Sequence, residues 1–187
     1  IKLVDRYFSL KYKINQSEFF ELVISFKNNE KSFFKSYCDT IETPDGGSHE
    51  NAIKNGIIKA IKLYGRKNQF GKINNININD IIDYSDILIS IFINEPSFEG
   101  QTKKRIIMPK LQKKLEDLIQ DEFLKWLNSN KKNSSKFINT LIERSLLRTD
   151  LNKFRELERK TIKEKNKLPG KLVDCSNQNV EGTELFI

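Results

Sequence analysis

Asn94-Glu95-Pro96-Ser97-Phe98-Glu99-Gly100-Gln101-Thr102-Lys103-Lys104-Arg105-Ile106-Ile107-Met108-Pro109 joins the most strand-like run of the chain, Ile87 to Ile93, to a strongly periodic helical stretch. Pro96 ends the strand because it has no N–H to give to a ladder. Gly100 lets the backbone bend and approach closely. Gln101, Thr102 and Lys103 then present an amide, a hydroxyl and an ammonium in succession. Neutral donors that fix geometry, beside one cation that takes up charge, suit the terminal oxygens of a phosphate. A loop held between a rigid strand and a rigid helix is a common place for function, since it need not pack itself. Taken alone, the same residues also read as a polar surface loop.

Working back towards the N-terminus, Ile87 to Ile93 is nearly continuous in apolar residues and predicts a strand covered on both faces. Gly65 to Ile78 is polar and loop-like, and Asn79 can cap a short helix through Tyr84. Thr43-Pro44-Asp45-Gly46-Gly47-Ser48-His49-Glu50 carries two adjacent glycines, which free the backbone for positive φ. Ser48 can cap the helix that follows. That helix, His49 to about Tyr64, places Ile53, Ile57, Ala60, Ile61 and Tyr64 on one face. Gly56 inside it costs roughly 1 kcal/mol relative to Ala and predicts close packing. His49 is the only histidine. With no second ligand or nucleophile near it in sequence, a hydrogen-bonded structural role is favoured over a catalytic base or metal ligand. Glu21 to Phe26 and Ser32 to Ile41 are β-like, with turn chemistry at Lys27-Asn28-Asn29-Glu30-Lys31 between them, and predict a hairpin. Ile1, Val4 and Phe8 lie on helical spacing and predict the tail of a helix over Ile1 to Tyr12. Strand, strand, helix, strand predicts a two-layer α/β sandwich with helices on the sheet.

Working forward, Pro109 suits the first helical position. Leu111, Leu115, Leu118, Ile119, Phe123 and Trp126 form an apolar stripe down to about Asn128. After a break over Asn128 to Asn133, a second helix is expected from Ser134 or Ser135 to about Lys165. At ~100° per residue, its Arg144, Arg148, Arg155 and Arg159 fall within about 60° of one another. They read either as a solvated basic face, partly paired with Glu156 and Glu158, or as a wall facing phosphates. Leu168-Pro169-Gly170-Lys171-Leu172-Val173-Asp174-Cys175 ends that helix. Leu185-Phe186-Ile187 reads as the opening of a strand.

The bulk numbers bound these readings. At 187 residues the chain holds one domain, or one domain with an extension. Its 37% hydrophobic and 31% charged residues exclude a disordered chain. No apolar run approaches the ~20 residues of a membrane helix, so no membrane partner is expected. Cys38 and Cys175 are far apart and lack metal-ligand spacing; they are read as reduced thiols, which points to the cytoplasm, and no metal is expected. A net charge of +8 makes nucleic acid a plausible partner. The abundance of Ile, Asn and Lys gives that charge a second possible origin in base composition.

Three motifs stand in one order: Asp45-Gly46-Gly47-Ser48-His49-Glu50, Gly100-Gln101-Thr102-Lys103, and Leu168-Pro169-Gly170-Lys171-Leu172-Val173-Asp174-Cys175. Together they resemble the B subunits of bacterial type IIA DNA topoisomerases. Tyr37-Cys38-Asp39-Thr40-Ile41 and Glu181-Gly182-Thr183-Glu184-Leu185-Phe186-Ile187 look like the topoisomerase IV version, with gyrase next. The resemblance covers essentially the whole chain and implies a ribosomal-protein-like transducer fold. It places the sandwich with its last helix at 1–128, a long connecting helix at 129–167, and a linker with the first strand of a Toprim domain at 168–187. It implies that Lys103 reaches the ATP γ-phosphate with Gln101 as its partner, Gly100 and Thr102 supporting the loop. Gly46, Gly47, Ser48 and His49 would be structural. Arg144, Arg148, Arg155, Arg159 and Lys171 would face DNA.

The same resemblance implies a nucleotide-binding lobe before Ile1, and Toprim carboxylates with their Mg2+ after Ile187. No catalytic residue is then expected in this stretch, and the stretch alone should be inactive. The expected partners are a topoisomerase A subunit and a second B subunit in an A2B2 assembly, with double-stranded DNA, in the cytoplasm at the nucleoid. Glu181-Gly182 imitates the start of the Toprim metal motif, but Thr183 follows and the strand comes after it, so Glu181 is given no metal. The sequence departs from the family at Asp39, usually asparagine, and at Ser48, usually threonine. Met108 is also an unusual residue before Pro109. A stand-alone basic nucleic-acid-binding module of the same fold is the alternative from another class.

Overall fold

The structure is a computed structural model that describes residues 7–27, 32–129 and 131–165, with side chains through Lys160. Five strands form one sheet: β1 (Phe8–Lys13), β2 (Phe19–Phe26), β3 (Phe34–Cys38), β4 (Ile41–Glu42) and β5 (Ser85–Phe92). Their spatial order is β1-β2-β5-β3-β4. The main helices are α1 (Ser48–Lys67), the short α2 (Asn79–Ile82), α3 (Pro109–Ser129) and α4 (Lys131–Lys165). The chain divides into two compact units, one through Leu146 and the other from Leu147.

Alternation decides the sheet. Phe20, Leu22, Ile24 and Phe26 of β2, and Ile87, Ile89 and Ile91 of β5, are each at most 2% exposed. Between them, Val23 is 41% and Leu88 45% exposed. Side chains alternate across a strand, so one face is buried and the other is open. β5 is therefore central yet covered on one face only, which corrects the expectation of two covered faces. Its Leu88, Ser90 and Phe92 form the open side.

Three further expectations are overturned. The stretch around Phe8 is a strand, because Phe8 and Leu10 alternate inward and the backbone pairs in register with β2, Phe8 opposite Ile24 and Lys13 opposite Phe19. The hairpin is thus β1–β2, closed by the Ile14 N–H donating to Glu18 O at 2.8 Å. β2 and β3 do not pair. β5 inserts between them, antiparallel to β2 and parallel to β3. β5, with Ile87, Ile89 and Ile91 all buried, takes the middle of the sheet, and the polar connection between β2 and β3 does not dictate their pairing. Asn79 does not cap α2 either; Asp80 Oδ2 instead accepts from the Asn77 N–H at 2.8 Å.

α1 and α3 pack on the buried face. Gly56 lies where they approach: a Cβ there would meet Glu116 O at 2.8 Å and Ile119 at 3.0 Å. Glu116 is nearly buried at this contact and takes Asn55 Nδ2 at 3.1 Å and the Lys59 ammonium. At one end of the sheet, Phe26 meets Phe137 of α4 at 4.6 Å between ring centres, and Phe8 meets Phe123 edge-on at 5.0 Å. Phe137, Ile138 and Leu141 are buried, so the first turns of α4 complete the core of the first unit. That helix begins at Lys131, earlier than the predicted Ser134.

Replacing Gly56 by Ala should destabilise the chain by about 1–2 kcal/mol in urea unfolding. Overpacking outweighs the roughly 1 kcal/mol that Ala gains in helix propensity. A stabilised Gly56→Ala variant would show that the two helices separate at little cost.

Candidate functional site

The loop from Ser97 to Ile107 folds back on itself. The Glu99 N–H donates to Arg105 O at 2.9 Å and the Ile107 N–H to Ser97 O at 2.8 Å, with Phe98 bridged to Ile106. Its second arm is also fastened to the glycine pair. The Ile106 N–H donates to Gly46 O at 3.1 Å, and Ile106 O accepts from the Ser48 N–H at 2.9 Å. The Asp45 N–H reaches Lys104 O at 3.2 Å. Ile106 is 1% exposed, the one buried residue in an otherwise exposed run from Glu99 to Ile107. Two of the sequence motifs thus form one backbone clamp with Ile106 as its pin.

Gly47 is required by this contact. Its φ is 139°, and a Cβ would lie 2.3 Å from Ile106 O and 2.6 Å from Ile106 N. Gly46, at φ 66°, faces the Glu50 carboxylate at a similar closeness. Ser48 does not cap α1. Its Oγ accepts from the Met108 N–H at 2.8 Å, fixing the chain one residue before Pro109. Met108 is thus held through its backbone amide by a side chain from another element. Asp39 has φ 48° in the β3–β4 turn, and its Oδ1 accepts from the Ile93 N–H at 3.0 Å. The position uses an acceptor, so a carboxylate serves.

Beneath the clamp lies a buried polar chain that the sequence reading did not assemble. His49 Nε2 is 3.2 Å from Thr43 Oγ1, Thr43 Oγ1 is 2.7 Å from Ser36 Oγ, and Ser36 Oγ donates to Glu50 Oε1 at 2.6 Å. Lys54 Nζ meets the other Glu50 oxygen at 3.2 Å. Assigning the Nε2–H tautomer to neutral His49 gives a consistent donor order: His49 gives to Thr43, Thr43 to Ser36, and Ser36 to the carboxylate. Nδ1 is then a bare acceptor, with no partner among the described residues. Burial pushes the His49 pKa down to about 4. Among the described residues no cluster of His, Cys, Asp and Glu could hold a metal ion.

The clamp carries Gly100, Gln101, Thr102 and Lys103 at an exposed tip. Gly100 at φ 76° and Lys103 at φ 54° turn the backbone there. A lysine in the left-handed region is held at a cost of order 1 kcal/mol. Neither Gln101 nor Lys103 has a side-chain partner among the described residues. An ammonium and an amide are therefore presented together, and neither is used within the fold.

The four arginines are not alike. Arg144 is a correction to the expected stripe: its guanidinium lies 3.5 Å over the Tyr84 ring, and its Nη2 donates to Lys27 O at 2.9 Å. It ties α4 to the adjoining ends of β2 and β5 and is not held out to solvent. Arg148 is half-buried, whereas Arg155 and Arg159 are exposed. Lys171 and Glu181 lie outside the described residues. What sequence reasoning missed is Ile106, whose signal was a β-branched residue inside a polar loop, and the Ser36–Thr43–Glu50 chain, which comes from three separate elements.

Gly47→Ala should loosen the clamp, destabilising it by about 2 kcal/mol or more and speeding hydrogen exchange at the Ile106 and Ser48 amides. Protection unchanged at those amides would contradict the contact. The pH response follows from His49. Its folded pKa lies below the unfolded value near 6.5, so its stabilising share is whole above that value and falls as pH drops towards 4. Between pH 7 and 5 the chain should lose about 2 kcal/mol, and His49→Gln should flatten that part of the profile in urea titrations.

The DNA gyrase B family model matches residues 2–157. The chain is 39% identical over 168 residues to the DNA topoisomerase 4 B subunit of Rickettsia prowazekii, covering 89% of this chain and 25% of that protein. It is 28% identical over 169 residues to the DNA gyrase B subunit of Thermotoga maritima, covering 89% and 27%. In three dimensions it is similar to a topoisomerase IV ATP-binding domain of Francisella tularensis solved with a small-molecule inhibitor. There the TM-score is 0.70 at 27% identity, over 78% of this chain and 40% of that one. The chain spans about a quarter of the length of the curated relatives it matches. Matched by the family model over most of its length, the chain belongs to the DNA gyrase B family, the B subunits of type II DNA topoisomerases.

Proposed function

We propose that this chain is the transducer segment of the B subunit of an ATP-dependent type II topoisomerase. Its Gln101-Thr102-Lys103 tip senses the terminal phosphate of a nucleotide held by another lobe of the same protein. The observation that carries the reading is the exposed, unused ammonium of Lys103 beside Gln101, on a loop fastened at its base by Ile106. One cation and neutral donors fit the oxygens of a terminal phosphate. ATP supplies that phosphate, and loss of it on hydrolysis removes the contact. A loop that touches nothing else of the nucleotide then reports its state, and the clamp passes that report into α1 and the sheet. The segment alone is inactive, and Mg2+ belongs to other parts of the protein.

The proposed organisation is the sandwich at 1–128, a connecting helix at 129–167, and a linker into a Toprim domain at 168–187. The proposed assembly pairs two such subunits with two A subunits on double-stranded DNA. Arg148, Arg155, Arg159 and Lys171 would face the duplex, and the net charge of +8 supports that reading. Topoisomerase IV is preferred to gyrase because identity is 39% to a topoisomerase 4 relative against 28% to a gyrase relative. Relaxation and decatenation are the corresponding activities.

In the full-length protein, Lys103→Ala should reduce ATP turnover by at least about 100-fold, the scale of losing one charge-stabilising contact at a reacting phosphate. Its fold and its urea midpoint should be unchanged, since the ammonium contacts nothing described. Wild-type turnover in that variant would remove the assignment.

A further inference from the structure

The Glu50 carboxylate is a charge largely withdrawn from water, and the contact at Lys103 makes no direct use of it. Glu50 stands in the first turn of α1, and its side chain is 13% exposed. Three elements meet at it. Ser36 of β3 donates to Oε1 at 2.6 Å, and Lys54, one turn further along α1, reaches Oε2 at 3.2 Å. The third is the glycine turn: a Cβ on Gly46 would lie 2.6 Å from Oε2 and 2.7 Å from Cδ. The carboxylate therefore occupies the place that a side chain on residue 46 would take.

Gly46 in turn holds the loop. Its N–H donates to Thr43 O at 2.9 Å, and its O accepts from the Ile106 N–H at 3.1 Å. The next bond outward joins the Asp45 N–H to Lys104 O at 3.2 Å. Lys104 is the chain neighbour of Lys103. Two steps thus lead from the carboxylate to the tip: the packing of Glu50 on Gly46, and the backbone bonds from residues 45 and 46 to the second arm. No flexible side chain stands between them to absorb a shift of the turn.

The two donors require a carboxylate. Ser36 and Lys54 each bring a hydrogen, so both oxygens must accept. An amide offers one acceptor and one donor, and its NH2 would face the hydroxyl or the ammonium. Stability alone does not require this arrangement. An acid in the first turn of a helix gains from the helix dipole without a seat on Gly46. A largely buried ion pair is often no more stabilising than a well-packed apolar side chain.

We propose that Glu50 is a positioning residue for nucleotide sensing. By seating the Gly46 turn it sets where the Lys103 ammonium stands, and so how well the protein tells ATP from ADP. The inference rests on the assignment of Lys103 to the terminal phosphate. Glu50 acts through Lys103 and not on the nucleotide.

The test uses the full-length protein as Glu50→Gln, Lys103→Ala and the double variant. Glu50→Gln should lower kcat for ATP about tenfold to 100-fold, the scale of a small misplacement at a reacting group. It should weaken a non-hydrolysable ATP analogue about tenfold, the scale of one hydrogen bond to a charged group, and leave ADP binding unchanged. Added to Lys103→Ala, it should lower turnover no further, because nothing is left to position. The Ile106 amide should exchange faster in Glu50→Gln while the β5 amides keep their protection. Lys54→Met, which takes one partner from the carboxylate at the surface, should show the same pattern at about threefold, and Lys54→Arg should restore it. Lys54→Met decides the matter if Glu50→Gln does not fold. Wild-type kcat in the folded variant, equal loss of ADP and analogue binding, or losses that add in the double variant would each overturn the inference and leave Lys103 in place. Wild-type turnover in Lys103→Ala would instead remove the nucleotide reading, and this inference with it.

Discussion

A two-way backbone contact holds the candidate site. Ile106 gives its N–H to Gly46 O and takes the Ser48 N–H on its own carbonyl, at 3.1 and 2.9 Å. Such pairing needs two backbones in close approach, and a Cβ on residue 47 would sit inside Ile106. The glycine pair is thus the condition under which a polar loop can be attached to a folded core. From that attachment the tip inherits its position, and Lys103 its exposure. Without it, residues 97–107 would be a tether of no fixed direction.

The clamp is rigid because of what lies under it. Ile106 is buried, Met108 is held by Ser48, and α1 begins at the residue that closes the contact. The hydroxyl chain from His49 to Glu50 fixes β3, the turn after β4 and the first turn of α1 relative to one another. In a buried setting such a chain is sound only when its members are satisfied. Here it ends on a carboxylate that also meets Lys54, which leaves one histidine nitrogen as the single open place among the described residues. That arrangement makes the site sensitive to acid.

Much of this was legible in the residues. Gly46, Gly47 and Gly56 each announced a positive φ or a close approach that is present, and Pro109 stands at the first position of α3. The helix after Ser48 and the stripe from Leu111 to Trp126 followed from their period. The pairing of strands was not legible, because alternation tells which side of a strand is buried and says nothing of its neighbour. Phe8 fitted a helical and a strand period equally over so short a run. Ser48 offered a hydroxyl that could serve its own helix or a distant amide, and only the fold decides between them. Arg144 shared a helical face with three other arginines, yet the Tyr84 ring and the Lys27 carbonyl draw it inward. The clamp itself joins residues about sixty positions apart, beyond the reach of any local pattern.

The central claim is that Lys103 meets a terminal phosphate and loses it on hydrolysis. Amine-reactive footprinting of the full-length protein, read at Lys103 by mass spectrometry, measures this without altering a residue. Labelling should be suppressed with a non-hydrolysable ATP analogue and restored with ADP. Equal labelling with the two nucleotides would contradict the account.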